Sequence, residues 1–209
     1  MTLFKDREEA WLKLQSHIPF ETFKKDWVIL AISEGGVYFA DKIAKKIQQP
    51  ADFLFTEAIM APHNDECILG MISETEEIIM NTPLIESFDV SLDYVYGEAK
   101  RRYDEKILSY LYKYRKGEML KSLKGKNVLL VDQGADTGMT LMVSLKTVMS
   151  LEASKVSVAM PIVPHSIEKE LEKIVDDVYF VSKIVNYTSM NDYYELLPKI
   201  DVQSYKLKQ

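Results

Sequence analysis

The run Val128-Leu129-Leu130-Val131-Asp132-Gln133-Gly134-Ala135-Asp136-Thr137-Gly138-Met139-Thr140 holds the residues of this chain best suited to chemistry. Four apolar residues end in the acid Asp132. A loop containing Gly134 and Gly138 follows. Leu141, Leu145, Val148 and Met149 then recur at helical spacing. The pattern predicts a strand, a tight loop and a helix start. The unpaired amides of such a helix start, together with its dipole, favour an anion, above all phosphate. Thr137 and Thr140 add hydroxyl donors. There is no G-x-x-x-x-G-K-[ST], so the loop is not a Walker A loop. No G-x-G-x-x-G follows a strand, so a dinucleotide site is unsupported. Taken alone, the residue types leave two readings: a phosphate cradle, or an ordinary turn built from glycine and threonine.

Alternating apolar runs and helical patterns would position this loop. Trp27–Ile32 reads as a buried strand, Ser33-Glu34-Gly35-Gly36 as a turn, and Val37–Ile47 as an amphipathic helix. Residues 7–18 read as a helix and 52–57 as a second strand. Residues 67–73 and 76–80 read as a hairpin turning near Glu74-Thr75. Ser91 can cap one long helix running to Tyr114. After the 127–132 strand come a helix at 138–151, a strand at 155–160, a helix at about 166–175 and a strand at 177–182. Residues 189–209 read as mixed helix and coil. The expected fold is α/β, a mostly parallel sheet flanked by helices, in one domain over residues 1–209. Segments 81–120 and 183–209 are the expected hood and tail. Ligands of such sheets lie at the strand C-terminal ends, where Ser33–Gly36 and Asp132–Thr140 both fall.

Composition narrows the class further. The chain has 209 residues, of which 47% are hydrophobic, enough for a sizeable core. No apolar run approaches the roughly 20 residues of a membrane span. The charged N-terminus is unlike a signal peptide. A single cysteine, Cys67, excludes an internal disulfide and fits a cytoplasmic location. A net charge of −6 argues against general nucleic-acid binding.

The acid placed directly before the loop makes the 132–140 stretch resemble the phosphoribosyl diphosphate (PRPP) motif of type I phosphoribosyltransferases. The likeness covers roughly residues 4–195. Phe4-Lys-Asp-Arg-Glu-Glu-Ala10 is similar to the F-x-D-R-x-x-A opening of a group of bacterial members. Strand 27–32 with Gly35-Gly36 is similar to their first strand and R-G-G turn. Ala61-Pro62, Glu66 and Gly70 match a later A-P-x-x-x-E-x-x-x-G pattern, and Val158–Pro164 the strand after the motif. The resemblance implies that Asp132 and Gln133 hold the ribose hydroxyls, with Asp132 also near a metal. It implies that Gly134, Ala135, Asp136, Thr137, Gly138, Met139 and Thr140 hold the 5′-phosphate, and that Mg²⁺ arrives with PRPP. It implies a small-molecule phosphoribosyl or nucleotide ligand, a variable hood and a homodimer. Two functions follow: transfer of a 5-phosphoribosyl group from PRPP to a nitrogenous base, or a non-catalytic relative binding a nucleotide or phosphorylated metabolite in a regulatory role.

The departures from the family pattern gather on the side that would receive pyrophosphate. Glu34 stands where the family has arginine, Glu57-Ala58 where it has basic residues, and Gln133 where it has the second acid. Between Ile47 and Ala99 there are eleven acids and no lysine or arginine. Two like charges about 4 Å apart repel by about 4 kcal/mol at an effective dielectric of 20. Glu34 therefore either faces the pyrophosphate site and weakens it, or points to solvent. Asp136 stands where many hypoxanthine-guanine enzymes carry an aspartate beside the base; as a catalytic group it would move or stabilise a proton there. It equally suits a helix cap.

Other segments offer less. Lys100, Arg101, Arg102, Lys106, Lys113, Arg115 and Lys116 are interleaved with tyrosines. They read as a nucleic-acid surface, as a solvated helix face, or as cations supplied to the acidic side. His63–Cys67 lacks the spacing of a metal site. His17 and His165 have no evident catalytic partner, and Cys67 reads as core.

Overall fold

The computed structural model describes residues 2–23 and 26–205. In chain order, the elements are α1 (Arg7–Leu14), β1 (Trp27–Ala31), α2 (Glu34–Ile47), β2 (Ala51–Phe53), β3 (Thr56–Ala61), β4 (Asn64–Ser73) and β5 (Ile78–Met80). Then follow α3 (Thr82–Ser87), α4 (Leu92–Arg102), α5 (Leu108–Arg115), β6 (Asn127–Val131) and α6 (Met139–Ser150). Last come β7 (Lys155–Ala159), β8 (Ile162–Pro164), α7 (His165–Leu171), β9 (Asp177–Tyr179) and β10 (Ser182–Ile184).

The main sheet has five parallel strands in the order β2-β1-β6-β7-β9. Side chains alternate across a strand, so each central strand feeds two cores. Ile29, Ala31, Leu129 and Val131 pack with α1, α2 and the aromatic tail residues Tyr193 and Tyr194. Leu30, Ile32, Val128 and Leu130 pack on the opposite face with Leu141, Leu145 and Val148 of α6. This two-faced burial explains why β1 and β6 read as unbroken apolar runs. The result is the expected α/β sheet flanked by helices.

A second layer sits beside it. β3, β4 and β5 form an antiparallel sheet packed under α4 and α5 through Ile59, Leu69, Ile72, Val95, Ile107 and Leu111. The expected strand at 52–57 is thus two strands in two sheets: β2 closes the edge of the parallel sheet, and β3 begins the antiparallel one. The Ala61–Asn64 stretch is a tight turn between β3 and β4, with His63 at φ 56. The expected long helix is capped by Ser91, which accepts from the Tyr94 amide. A π-helical turn at Tyr103–Ile107 then separates α4 from α5. The strand expected at 177–182 is also two pieces, β9 in the main sheet and β10 paired with β8. α1 stops at Leu14, short of the expected 18, yet Ile18 is still buried. In the tail, residues 206–209 lie outside the described residues.

A buried ion pair joins the two layers. Arg115 donates to Glu74, to the Phe53 carbonyl at 3.2 Å, and lies 3.8 Å from Asp52. Glu74 is fully buried and also accepts from the amides of Phe55 (3.1 Å) and Leu120 (3.2 Å). Burial pushes its carboxyl pKa upward, against the pull of Arg115.

Candidate functional site

Parallel register sets Ala31 opposite Val131, so the C-terminal ends of β1 and β6 lie side by side. Ser33 and Asp132 follow those ends and are bonded to each other: the Ser33 hydroxyl donates to Asp132 Oδ1. Ser33 Oγ also accepts from the Gly36 amide at 3.0 Å and so caps α2. Asp132 Oδ1 accepts from the Gln133 amide at 2.7 Å. Asp132 is only 6% exposed. Burial raises its carboxyl pKa to about 7, although Ser33 and the amides of Gln133 and Gly134 pull the other way.

The expected turn at Ser33–Gly36 is instead the start of α2, which begins at Glu34. This gives Glu34 a physical reason. A carboxylate in the first turn complements the helix dipole, and an arginine there would oppose it. Gly35 and Gly36 serve close packing rather than an unusual backbone. A Cβ on Gly35 would lie 2.1 Å from Gln133 Cδ, and one on Gly36 would lie 2.4 Å from the Val131 carbonyl oxygen. The first turn of α2 therefore rests directly on the end of β6 and on residue 133.

The loop after Asp132 is shaped by its two glycines. Gly134 has φ 153, and a Cβ there would lie 2.0 Å from Met190 Cε. Gly138 has φ 74, is the N-cap of α6, and has Ile167 packed against it. A glycine cap leaves α6 without a side-chain cap. A cleft of about 280 Å³ lined by Ser33, Asp132–Gly138, Thr140, Leu141 and Met190 lies at its start, where Thr137 Oγ1 accepts from the Met139 amide at 3.4 Å. Thr137 is exposed and Thr140 half-buried on that wall.

Asp136 neither caps α6 nor stands free. Its Oδ1 accepts from the Tyr187 hydroxyl at 2.5 Å and from the Met190 amide at 3.0 Å, binding the segment 187–190 to the loop. Gln133 is held from two sides. Its Oε1 accepts from Arg7 Nε at 3.0 Å, and its carbonyl accepts from the Tyr194 hydroxyl at 3.0 Å. Arg7 is buried and also donates to the Pro198 carbonyl at 2.7 Å. Its burial lowers the guanidinium pKa. Sequence reasoning did not single out Arg7, Tyr187, Met190 or Tyr194. Arg7 lies inside the F-x-D-R-x-x-A stretch, but its partner is 126 positions away.

A second cleft of about 260 Å³ adjoins the first, sharing Ser33 and Thr140. Its walls include Glu34, Glu57, Phe53, Phe55, Tyr110 and Tyr114, and among the described residues no lysine or arginine. Glu57 accepts from the Tyr110 hydroxyl at 2.7 Å. Burial, then Glu57, pushes the Tyr110 pKa up to about 12. Four of the seven cations of the 100–116 segment are engaged elsewhere, and Lys113 Nζ lies 4.9 Å from the centre of the Tyr114 ring. Arg101 and Arg102 bind Glu98, Lys100 binds Asp104, and Arg115 is buried against Glu74. They do not line this cleft, so the reading in which they supply its missing charge is not met. Among the described residues no group of three or more His, Cys, Asp or Glu side chains could hold a metal ion.

A family model described as "Phosphoribosyl transferase domain" matches residues 12–195. The chain belongs to this family. A Mycobacterium tuberculosis protein named by inference as a phosphoribosyl transferase, found in strains H37Rv and CDC 1551, is 28% identical over 179 residues. The match covers 85% of this chain and 40% of that protein, so the chain spans about two-fifths of the length of the relatives it matches. Among solved structures, the protein TT1426 from Thermus thermophilus is similar with a TM-score of 0.75 and 24% identity, covering 98% of this chain and 96% of that one. A hypothetical protein from Neisseria gonorrhoeae, solved with bound ppGpp, has a TM-score of 0.51 and 15% identity, covering 98% and 93%. Both share the fold described above. No helix among the described residues is long and apolar enough to cross a membrane.

Proposed function

We propose that the protein binds a 5-phosphoribosyl or nucleotide ligand, and that it does so better than it turns over PRPP. The observation that carries this reading is the start of α6. It has no side-chain cap, and it faces a cleft walled by the 132–141 loop. A phosphate on residues 134–140 would accept from the amides there and from Thr137 and Thr140. Transfer to a nitrogenous base would break the C1–O bond to pyrophosphate and form a C1–N bond. Its leaving group would sit beside Glu34 and Glu57, where the described walls hold no cation. That observation favours the binding protein over the transferase.

The remaining roles follow from committed atoms. Asp132 and Gln133 would hold the ribose hydroxyls, with Asp132 Oδ1 also bonded to Ser33 and Gln133 Oε1 to Arg7. Mg²⁺ would enter with bound PRPP, beside Asp132. With Oδ1 held by Tyr187 and Met190, Asp136 would anchor the 187–190 segment to the loop, and any proton transfer at a base would fall to its other oxygen.

Calorimetry with ribose 5-phosphate and with ribose tests the reading. Ribose 5-phosphate should bind and ribose should not. Thr137→Val with Thr140→Val should weaken the phosphate ester about a hundredfold, the value of two lost charge-assisted hydrogen bonds at about 1.5 kcal/mol each. Equal binding of ester and free sugar would end the proposal.

A further inference from the structure

The second cleft is an aromatic cavity with carboxylates on its rim, and that chemistry suits a cation. Phe53, Phe55, Tyr110 and Tyr114 form a connected set of rings, with centroid separations of 5.0 Å (Phe53–Phe55), 5.9 Å (Phe55–Tyr110) and 5.7 Å (Phe55–Tyr114). Glu34 reaches the cavity from the first turn of α2 and Glu57 from β3, two elements far apart in the chain. The ring faces and both carboxylates carry the same sign of potential, and cations over tyrosine or phenylalanine are attracted by that field. Two cations already touch this set from outside the cleft lining: Arg115, 4.7 Å from the Phe55 ring centre, has its charge answered by Glu74 and Asp52, and Lys113 Nζ lies 4.9 Å from the Tyr114 ring centre. Pyrophosphate would meet repulsion in this cavity, whereas a flat positively charged ring would stack on it.

We propose that this cavity receives a cationic heteroaromatic base attached to the ribose 5-phosphate whose phosphate occupies residues 134–140. The inference rests on the phosphate-binding reading above and adds the class of base. The two clefts share Ser33 and Thr140, so one ligand can enter both. The phosphate meets amides and hydroxyls at one end, and the charged base meets rings and carboxylates at the other.

The probes are nicotinamide mononucleotide, its dihydro form and ribose 5-phosphate. The first two share the phosphate, the ribose and nearly the same ring, and differ in the positive charge. In calorimetry at pH 8 the oxidised form should bind about tenfold more tightly than the dihydro form. Glu57→Gln keeps an acceptor for Tyr110, and with Glu34→Gln it should bring that ratio to within twofold, with melting temperatures checking the fold. If ribose 5-phosphate binds but the two mononucleotides bind equally, the inference fails and the phosphate reading stands. A ratio unchanged by the double substitution overturns the inference in the same way. If none of the three binds, both readings fail. Tight, Glu34-dependent binding of magnesium pyrophosphate would also overturn it, because the carboxylates would then be serving a metal.

Discussion

Asp132 gives the protein a stability that should depend on pH in an unusual direction. Its folded-state pKa is raised from the ordinary 3.8 to about 7, chiefly by burial. A raised carboxyl pKa means that the folded protein holds the proton more tightly than the unfolded chain. The resulting stabilisation is fully present below the unfolded value near 3.8 and is lost as pH rises through about 7. At about 1.4 kcal/mol per pH unit, this one group should remove roughly 2–3 kcal/mol between pH 5 and pH 8. Asp132→Asn removes the titration while leaving an oxygen to accept from Ser33 and from the Gln133 amide. Urea unfolding of both proteins at intervals from pH 5 to pH 8 isolates the effect. The three histidines, His17, His63 and His165, are common to both proteins and cancel in the difference. Wild-type stability relative to the asparagine variant should fall from pH 5 to about pH 7 and level off above it. Parallel curves would refute the reasoning. They would mean that the bonds from Ser33 and the loop amides outweigh burial and hold the carboxyl near its ordinary value.

Three further substitutions probe other parts of the account. Glu34→Arg should raise PRPP affinity several-fold by calorimetry, while lowering stability by about 0.5–1 kcal/mol because it sets a cation on a helix N-terminus; unchanged affinity would mean that Glu34 does not face the leaving group. Gly36→Ala must push α2 off β6, because its Cβ would lie 2.4 Å from the Val131 carbonyl oxygen, and should cost about 1–3 kcal/mol in urea unfolding. Arg115→Ala leaves Glu74 buried without its partner and should destabilise by about 3–5 kcal/mol; a loss under about 1 kcal/mol would show that burial keeps Glu74 protonated, so that no unpaired charge is left behind.

Much of the fold was legible because its signals are local. The unbroken apolar runs of β1 and β6 come from burial on both faces, and the glycine loop after Asp132 lies where its residue types place it. The Ser91 cap needed only Tyr94, three positions away. What escaped depends on distant partners. Residues 51–61 are apolar enough for one strand, and only the neighbours available to β2 and β3 divide them between two sheets. Ser33–Gly36 reads as a turn until the end of β6 is known to lie beneath it, which is what requires glycine at 36. Asp136 carries the residue type of a cap or a catalytic acid, and its bonds to Tyr187 and Met190 cross more than fifty positions. Arg7 and Gln133 are further apart still.

The central claim is that the phosphate end of this site is intact while the pyrophosphate end has become acidic. The most direct measurement is a side-by-side calorimetric titration of ribose 5-phosphate and pyrophosphate, each with and without Mg²⁺. The account predicts that ribose 5-phosphate binds at least about tenfold more tightly than pyrophosphate under both conditions, a difference of about 1.4 kcal/mol. Pyrophosphate binding as tightly as ribose 5-phosphate, with or without the metal, would contradict it.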